Sequence, residues 1–365
     1  MYKKSRYLYT LKTEDGTILY SSKTGSVAVL APEECEPFEQ VVRRERFDLA
    51  QPFFEALDQY EFVVPEELDE TLEVTERLRY YRDHGGTFSA TVFITNACDF
   101  NCSYCFVPKN ASCIDDGTAA RLYRLYSEKA EEYDALHVSW FGGEPLLAAE
   151  RLAEMTRRLS EVCAEKGRSF RASVVTNGYS LTLRRFLLLY DAGVREFQVT
   201  FDENREVHDR LRSHRTDGAT FDIIVQNLRA IQKCGRGDFS IRFRCNYFHK
   251  DISRVGGCVE AYRRYFRNDR RFCFLLKPIV DYDSEDRAEL LSTYIGTVGA
   301  AVDFMEAYPE LRNIFENLLM PKKQWCSFYG TNTLVIGCNG DVYSCDSTIN
   351  KSAYRIGVLC EDGSV

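Results

Sequence analysis

Three cysteines, Cys98, Cys102 and Cys105, fall within eight residues as Cys-x-x-x-Cys-x-x-Cys. Thiolates so closely spaced suit zinc or an iron–sulfur cluster. A structural zinc wants a fourth protein ligand, usually from a second close pair, whereas three thiolates can hold three irons of a four-iron four-sulfur cube and leave the fourth open to chemistry. The open cluster is the stronger reading of this segment, with a zinc knuckle as its alternative. Further along the chain come Gly142-Gly143-Glu144-Pro145, Thr176-Asn177-Gly178, Asp202-Glu203, the run His208-Asp209-Arg210-Leu211-Arg212, and the pair Arg244 and Asn246. The glycines permit close backbone approach, a carboxylate complements an ammonium, and an arginine fork binds a carboxylate bidentately.

These residues need a scaffold, and the hydrophobic pattern supplies one. Apolar runs at Ala90 to Thr95, Ala135 to Phe141, Ala172 to Thr176, Glu196 to Phe201, Phe239 to Cys245 and Arg271 to Pro278 alternate with stretches of helical period. Six such βα units imply a parallel sheet with right-handed crossovers, an α/β fold best described as a partial (β/α)6 TIM-like barrel. Reactive groups then gather at the C-terminal ends of the strands, where the first four chemical segments stand. Arg244 and Asn246 share a face of the fifth strand by its period of two. His208 and Asp209 read first as a helix-start pair.

The cysteine spacing, with the aromatic Phe106 just after it, resembles the radical S-adenosylmethionine (SAM) enzymes. Over roughly residues 88 to 280 the other segments are similar to that family's strand-end motifs. The resemblance implies a [4Fe-4S] cluster on Cys98, Cys102 and Cys105 that binds S-adenosyl-L-methionine and cleaves it to a 5′-deoxyadenosyl radical. It also implies cofactor contacts at Phe106, Gly142, Gly143, Glu144, Thr176, Asn177, Arg212, Arg244 and Asn246, with Glu144 near the methionine amino group and Arg212 on its carboxylate. Phe201 and Glu203 depart from the leucine and glycine usual in the family.

A second cysteine region follows the barrel. Cys326, thirteen residues, Gly340, four residues and Cys345 resemble the opening of the auxiliary-cluster region called SPASM or, when shorter, twitch. Asn339-Gly340 is a type I′ hairpin signal between Thr333 to Ile336 and Asp341 to Tyr343, which brings Cys326 toward Cys345. The resemblance implies at least one auxiliary iron–sulfur cluster on Cys326 and Cys345, with Cys338 and Cys360 as further candidates, in a region that is either a one-cluster variant or an incomplete SPASM domain. Asp346 stands where related sulfatase-maturing enzymes carry a proton-accepting acid, and its alternative is a turn cap. Cysteines 35, 113, 163, 234, 258 and 273 have no ligand spacing and are expected to be buried small hydrophobes.

The first 85 residues differ in pattern. Strands at Tyr7 to Leu11, Thr17 to Ser21 and Ser26 to Leu30, then helices over 32 to 45 and 48 to 60 behind an Asp48 cap, fit either a winged-helix-like module or a plain cap, followed by a polar linker from Pro65 to Glu76. The expected domains are residues 1–85, 86–285 and 286–365. The 365 residues carry 47 basic and 55 acidic side chains, a net charge of −8 with no long block of one sign, which disfavours nucleic acid and anionic membranes as partners. No apolar stretch reaches membrane-spanning length and no signal segment is present, so a cytoplasmic protein is expected. Fourteen cysteines are few for a disulfide scaffold and many for a reducing compartment unless they bind metal or catalyse.

An N-terminal module, a radical barrel and a SPASM or twitch segment together resemble the maturases of ribosomally made peptides. The resemblance implies a precursor peptide, leader and core, as partner, a one-electron reductant such as flavodoxin or ferredoxin, and a thioether or carbon–carbon crosslink as product. The alternatives are an anaerobic sulfatase-maturing, formylglycine-forming enzyme and, from another class, a non-catalytic zinc-bound peptide-binding scaffold.

Overall fold

The structure is a computed structural model and describes residues 1–43, 52–83, 86–247, 252–279, 308, 330–349 and 351–365. The described residues fall into two compact units, those up to Asp83 and those from Gly86 onward.

In the first unit, β1 (Tyr2–Lys4) is followed by β2 (Leu8–Thr13), β3 (Gly16–Ser21) and β4 (Val27–Leu30), then α1 (Pro32–Val42), α2 (Pro52–Gln59), β5 (Val63–Pro65) and α3 (Glu70–Asp83). Strands β2, β3 and β4 make an antiparallel sheet, and β1 pairs antiparallel with β5. Leu8, Leu19 and Leu30 from one face of the sheet pack with Phe38 of α1 and Leu57 of α2. The other face stays open: Tyr9, Leu11, Val27 and Val29 are all more than half exposed. Asp48 and the end of the expected first helix lie outside the described residues.

Of the expected polar linker over 65 to 76, residues 70 to 76 are instead the start of α3. That helix has almost no apolar stripe, so no 3.6-residue period betrays it. It is held by polar contacts: buried Glu70 accepts from Ser5 Oγ (2.5 Å) and from Arg6 N (2.9 Å), and the buried Lys23 ammonium reaches Glu61 (2.7 Å) and Glu73 (2.5 Å).

The second unit is built on nine strands. Six parallel strands run in sequence order: β6 (Thr87–Thr95), β7 (Ala135–Gly142), β8 (Ser169–Thr176), β9 (Val194–Asp202), β10 (Ser240–Tyr247) and β11 (Phe272–Pro278). They are connected by α4 (Asp116–Glu132), α5 (Ala149–Glu165), α6 (Leu183–Asp191), α7 (Arg205–Leu211) with α8 (Phe221–Gln232), and α9 (Gly256–Tyr265). This is the expected (β/α)6 partial barrel. Alternate residues such as Leu136, Val138 and Trp140 of β7 are fully buried, and Phe201 stacks on Phe243 at 3.8 Å. Every intervening position of β7, from Ala135 to Phe141, is half-buried, which marks the opposite face of the sheet.

The C-terminal region is not a separate layer. Strand β12 (Thr333–Ile336) pairs parallel with β6 through Ser89 and Thr333, and β13 (Asp341–Tyr343) and β14 (Arg355–Val358) extend the same sheet antiparallel. Val335, Tyr343 and Ile349 share a core with Phe93 and Val107. The first barrel strand has one edge unpaired by the barrel, and a short apolar strand covers it. The turn between β12 and β13 is also longer than the expected type I′. Gly337 N donates to Asp341 O (2.9 Å), leaving the three residues Cys338, Asn339 and Gly340 as the loop, with Gly340 left-handed at φ +85°. No helix among the described residues is long and apolar enough to cross a membrane.

Candidate functional site

The cysteine loop leaves the C-terminal end of β6 and is tied down on both sides. Gly143 N donates to Thr95 O and Glu144 N to Ala97 O, each at 2.8 Å. A Cβ on Gly142 would stand 2.1 Å from Thr95 O and one on Gly143 2.2 Å from Ala97 O. The two glycines are therefore required by the approach of the β7 end to the β6 end. At the other side, Asn101 N donates to Ser213 O (3.0 Å) and Arg215 N to Asp99 O (2.9 Å).

Glu144 is fully buried and its two oxygens serve its own surroundings. Oε1 accepts from Leu146 N (3.0 Å) and Thr176 Oγ1 (2.6 Å), and Oε2 accepts from Asn177 N (2.7 Å). The carboxylate that the resemblance sets near a ligand's ammonium fastens the β8 end to the β7 end. Asn177 continues the chain of contacts, donating through Nδ2 to Asp99 Oδ1 (2.7 Å) in the cysteine loop. Burial raises the Glu144 carboxyl to about 7 against the three hydrogen bonds that lower it. A carboxyl raised in the folded state holds its proton there at a pH where the unfolded chain has lost it, so stability falls as pH rises from about 4.5 to about 7. The loss amounts to about 3 kcal/mol. Glu144→Gln is expected to remove this slope, read as urea midpoints by tryptophan fluorescence at pH 5 and pH 7.5; an unchanged slope would refute the assignment.

The centre of the site is Tyr104, between the second and third cysteines. Its hydroxyl donates to Asp202 (2.7 and 2.9 Å to the two oxygens) and accepts from Arg212 Nη1 (2.9 Å) and Asn246 Nδ2 (3.3 Å). Arg244 Nε donates to Asn246 Oδ1 (2.9 Å). Residues of β9, β10 and the loop after α7 thus meet on one phenol. Asp202 is fully buried, and burial lifts it to about 6 although Arg212 and Tyr104 pull it down. Buried Arg212 has its guanidinium 5.8 Å from the Phe100 ring, and its Nε has no acceptor among the described residues. Asn96 Oδ1, buried just before the cysteine loop, has no donor there. An unpaired cationic donor and an unpaired acceptor at one strand-end cluster suit a ligand that carries both a carboxylate and an ammonium.

His208 is buried and neutral. Nδ1 accepts from Asp202 N (3.1 Å), Nε2 faces Thr220 Oγ1 (3.0 Å), and burial holds its pKa well below the usual value. Asp209 Oδ1 accepts from Thr220 N (2.7 Å) and Phe221 N (2.8 Å) at the start of α8. Both residues are scaffold, but they do not start their own helix: Asn204 caps α7, and Asp209 serves the start of α8 from within α7. Phe106 is exposed and stacks on Phe141 with ring centroids 6.5 Å apart, whereas Tyr104 does the joining.

Burial pushes the Cys98 thiol to about 12 and raises Cys102, despite Phe100 N donating to Cys98 Sγ (3.4 Å) and the nearby charge of Arg212 on Cys102. Metal would displace these protons. Among the described residues no group of three or more His, Cys, Asp or Glu is placed to hold a single metal ion. A cube spreads its thiolates over separate irons, a wider arrangement than donors around one zinc.

Of the auxiliary candidates, Cys326 lies outside the described residues. Cys338 is buried, Cys345 half-buried with Ser347 Oγ 3.0 Å from its sulfur, and Cys360 exposed; they form no common group. Asp346 Oδ1 lies 3.6 Å from Cys345 Sγ. Among the remaining cysteines Cys163 and Cys258 are buried as expected, Cys35, Cys234 and Cys273 are half-buried, and Cys113, whose segment bridges to Thr95, is exposed.

Residues 92–246, most of the barrel with the cysteine loop and the Tyr104 cluster, match the model of the Radical SAM superfamily, so this part of the chain is a radical SAM domain. Over 112 residues the chain is 30% identical to the PqqA peptide cyclase of Methylobacterium nodulans, a match that covers 30% of this chain and 27% of that relative. Among solved structures, anSMEcpe with bound AdoMet is similar at a TM-score of 0.58 and 19% identity over 74% of this chain and 77% of that one. Streptococcus suis SuiB bound to the precursor peptide SuiA is similar at 0.50 and 14% identity over 99% and 87%. The two structural likenesses are likenesses of fold.

Proposed function

We propose that this chain is a radical S-adenosylmethionine peptide maturase that forms a thioether or carbon–carbon crosslink in a ribosomally made precursor. The observation that carries the reading is the Tyr104 cluster inside the radical SAM domain, which aims the unpaired Nε of buried Arg212 beside the cysteine loop. Cys98, Cys102 and Cys105 would hold a [4Fe-4S] cluster, which with bound S-adenosylmethionine supplies a 5′-deoxyadenosyl radical. Arg212 then binds the methionine carboxylate, and Asn96 Oδ1 accepts from its ammonium. Tyr104 and Asp202 keep Arg212 in place, while Glu144 and Asn177 fix the β7 and β8 ends around the loop. A peptide partner is supported by the PqqA peptide cyclase relative. The open apolar face of β2 to β4 and the edges of that sheet, unpaired among the described residues, suit a recognition module of winged-helix-like kind for a leader peptide. The reading includes a cytoplasmic location, a flavodoxin or ferredoxin as reductant, and an auxiliary cluster on Cys326 and Cys345 with Cys338 or Cys360.

The test is anaerobic reconstitution with iron and sulfide, addition of dithionite and S-adenosylmethionine, and quantification of 5′-deoxyadenosine. Its formation supports the reading; none from an iron-loaded protein overturns it in favour of a binding scaffold. Asp346 beside Cys345 is the feature that favours formylglycine formation instead. Asp346→Asn is expected to leave 5′-deoxyadenosine release within about twofold and to lower peptide product about tenfold or more, as a general base does. Unchanged product by mass spectrometry would return Asp346 to its turn.

A further inference from the structure

The half-buried face of the barrel sheet holds a second polar construction, below the strand ends and separate from the Tyr104 cluster. A cavity of about 370 Å³ opens there, lined from β7, β8, β9 and β10. Strand register places His137 opposite Ser89 and Arg171, and Ser173 opposite Ser139 and Glu196. Gln198 stands opposite Arg242. Ser89 Oγ lies 2.9 Å from His137 Nδ1 and Ser173 Oγ 3.0 Å from His137 Nε2. Both ring nitrogens are thereby occupied, and the imidazole is fixed across three strands as a rigid wall. Burial and the neighbouring guanidinium charges keep His137 neutral, against the opposing influence of Glu196.

The charges do not cancel. Among the described residues Glu196 is the one carboxylate that lines the cavity, and it is taken by Arg242 at 3.1 Å. Arg171, Ser139 and Gln198 line the same space and make no side-chain hydrogen bond or ion pair with any described residue. One guanidinium and two neutral polar groups therefore face the cavity with a surplus charge of +1. That surplus matches a singly charged planar anion, and a guanidinium fork fits a carboxylate in two parallel hydrogen bonds. A doubly charged phosphate would leave half its charge unmatched.

We propose that this cavity is a carboxylate-binding site, in which Arg171 takes the carboxylate and Ser139 and Gln198 bind the adjoining amide, and that its occupant is an acidic side chain or the C-terminal carboxylate of the peptide substrate. The occupant's identity rests on the proposed maturase function; the carboxylate site does not. Gln198 precedes Asp202 by four residues on β9, so at about 3.3 Å per residue the cavity sits about 13 Å below the Tyr104 cluster. An extended peptide covers that distance in about four residues. The site would set which residue of the peptide stands at the reacting end.

Three probes test this with the iron-loaded full chain: N-acetylglutamic acid α-amide for a side-chain carboxylate, N-acetylglutamine for a terminal one, and N-acetylglutamine amide as the neutral control. Binding is read by calorimetry and by the ring proton shifts of His137, whose pKa should rise when an anion arrives. At least one charged probe is expected to bind saturably and the neutral one at least tenfold more weakly, and whichever charged probe is tighter identifies the source. Arg171→Gln, at an exposed position, should weaken binding tenfold or more, and Gln198→Leu severalfold. Equal binding of charged and neutral probes, no binding of either charged probe, or charged-probe binding unmoved by Arg171→Gln would overturn the site. Measuring 5′-deoxyadenosine on the same sample separates the two ideas: probe binding without it keeps the carboxylate site and removes the peptide, whereas its formation without probe binding overturns the site alone.

Discussion

Replacing any one of Cys98, Cys102 or Cys105 by alanine is expected to abolish 5′-deoxyadenosine formation and to reduce bound iron after anaerobic reconstitution. Each of these thiols is assigned to a different iron, so no neighbour substitutes for the one removed. Two nearby acids are committed elsewhere: Asp99 accepts from Asn177, and Glu144 is enclosed by three donors. Cys345→Ala is the control, expected to retain S-adenosylmethionine cleavage. Cleavage at wild-type rate in all three loop variants would mean that the loop is not where the cluster sits, whatever the rest of the barrel does.

Tyr104→Phe is the second change with a large expected effect, because one oxygen atom serves three partners. Without it the fully buried Asp202 loses both of the hydrogen bonds it accepts from Tyr104, and Arg212 loses the acceptor of Nη1. Leaving buried polar groups unpaired costs about 1–3 kcal/mol, more when they are charged. The ring itself is kept, so packing is conserved and the loss is that of the hydroxyl. A lower urea midpoint is expected, together with S-adenosylmethionine binding at least tenfold weaker by equilibrium dialysis. A variant that binds S-adenosylmethionine as tightly as the parent would show that Arg212 holds its position without the phenol.

The barrel was legible because its strands are apolar runs between helical stretches. All six expected strands appear, each within three residues of its expected start. The strand-end segments were legible for the same reason, since the parallel sheet dictates where they gather. What escaped has physical causes. Helix α3 is polar on all sides, and its attachment through Glu70 and Lys23 depends on partners some fifty to sixty-five residues away. Tyr104 read as a spacer between two ligands; its signal was an aromatic hydroxyl on a loop whose neighbours needed anchoring. The three donors around Glu144 escaped as well, because two of them come from the end of β8, some thirty residues away. The interior cavity did leave a trace: His137 and Ser139, Arg171 and Ser173, and Glu196 and Gln198 are polar at period two on strands whose other face is apolar.

The parallel pairing of β12 with β6 has a consequence for biosynthesis. Ser89 meets Thr333, so the strand that leads into Cys98 leaves the ribosome well over two hundred residues before the segment that covers its free edge. A nascent chain therefore carries an uncovered parallel edge while the intervening residues are made. Such long-range pairing is slow, and exposed strand edges are prone to aggregate. The pairing of β12 would complete the sheet only after that interval, so the closing of the sheet falls late in the life of each new molecule.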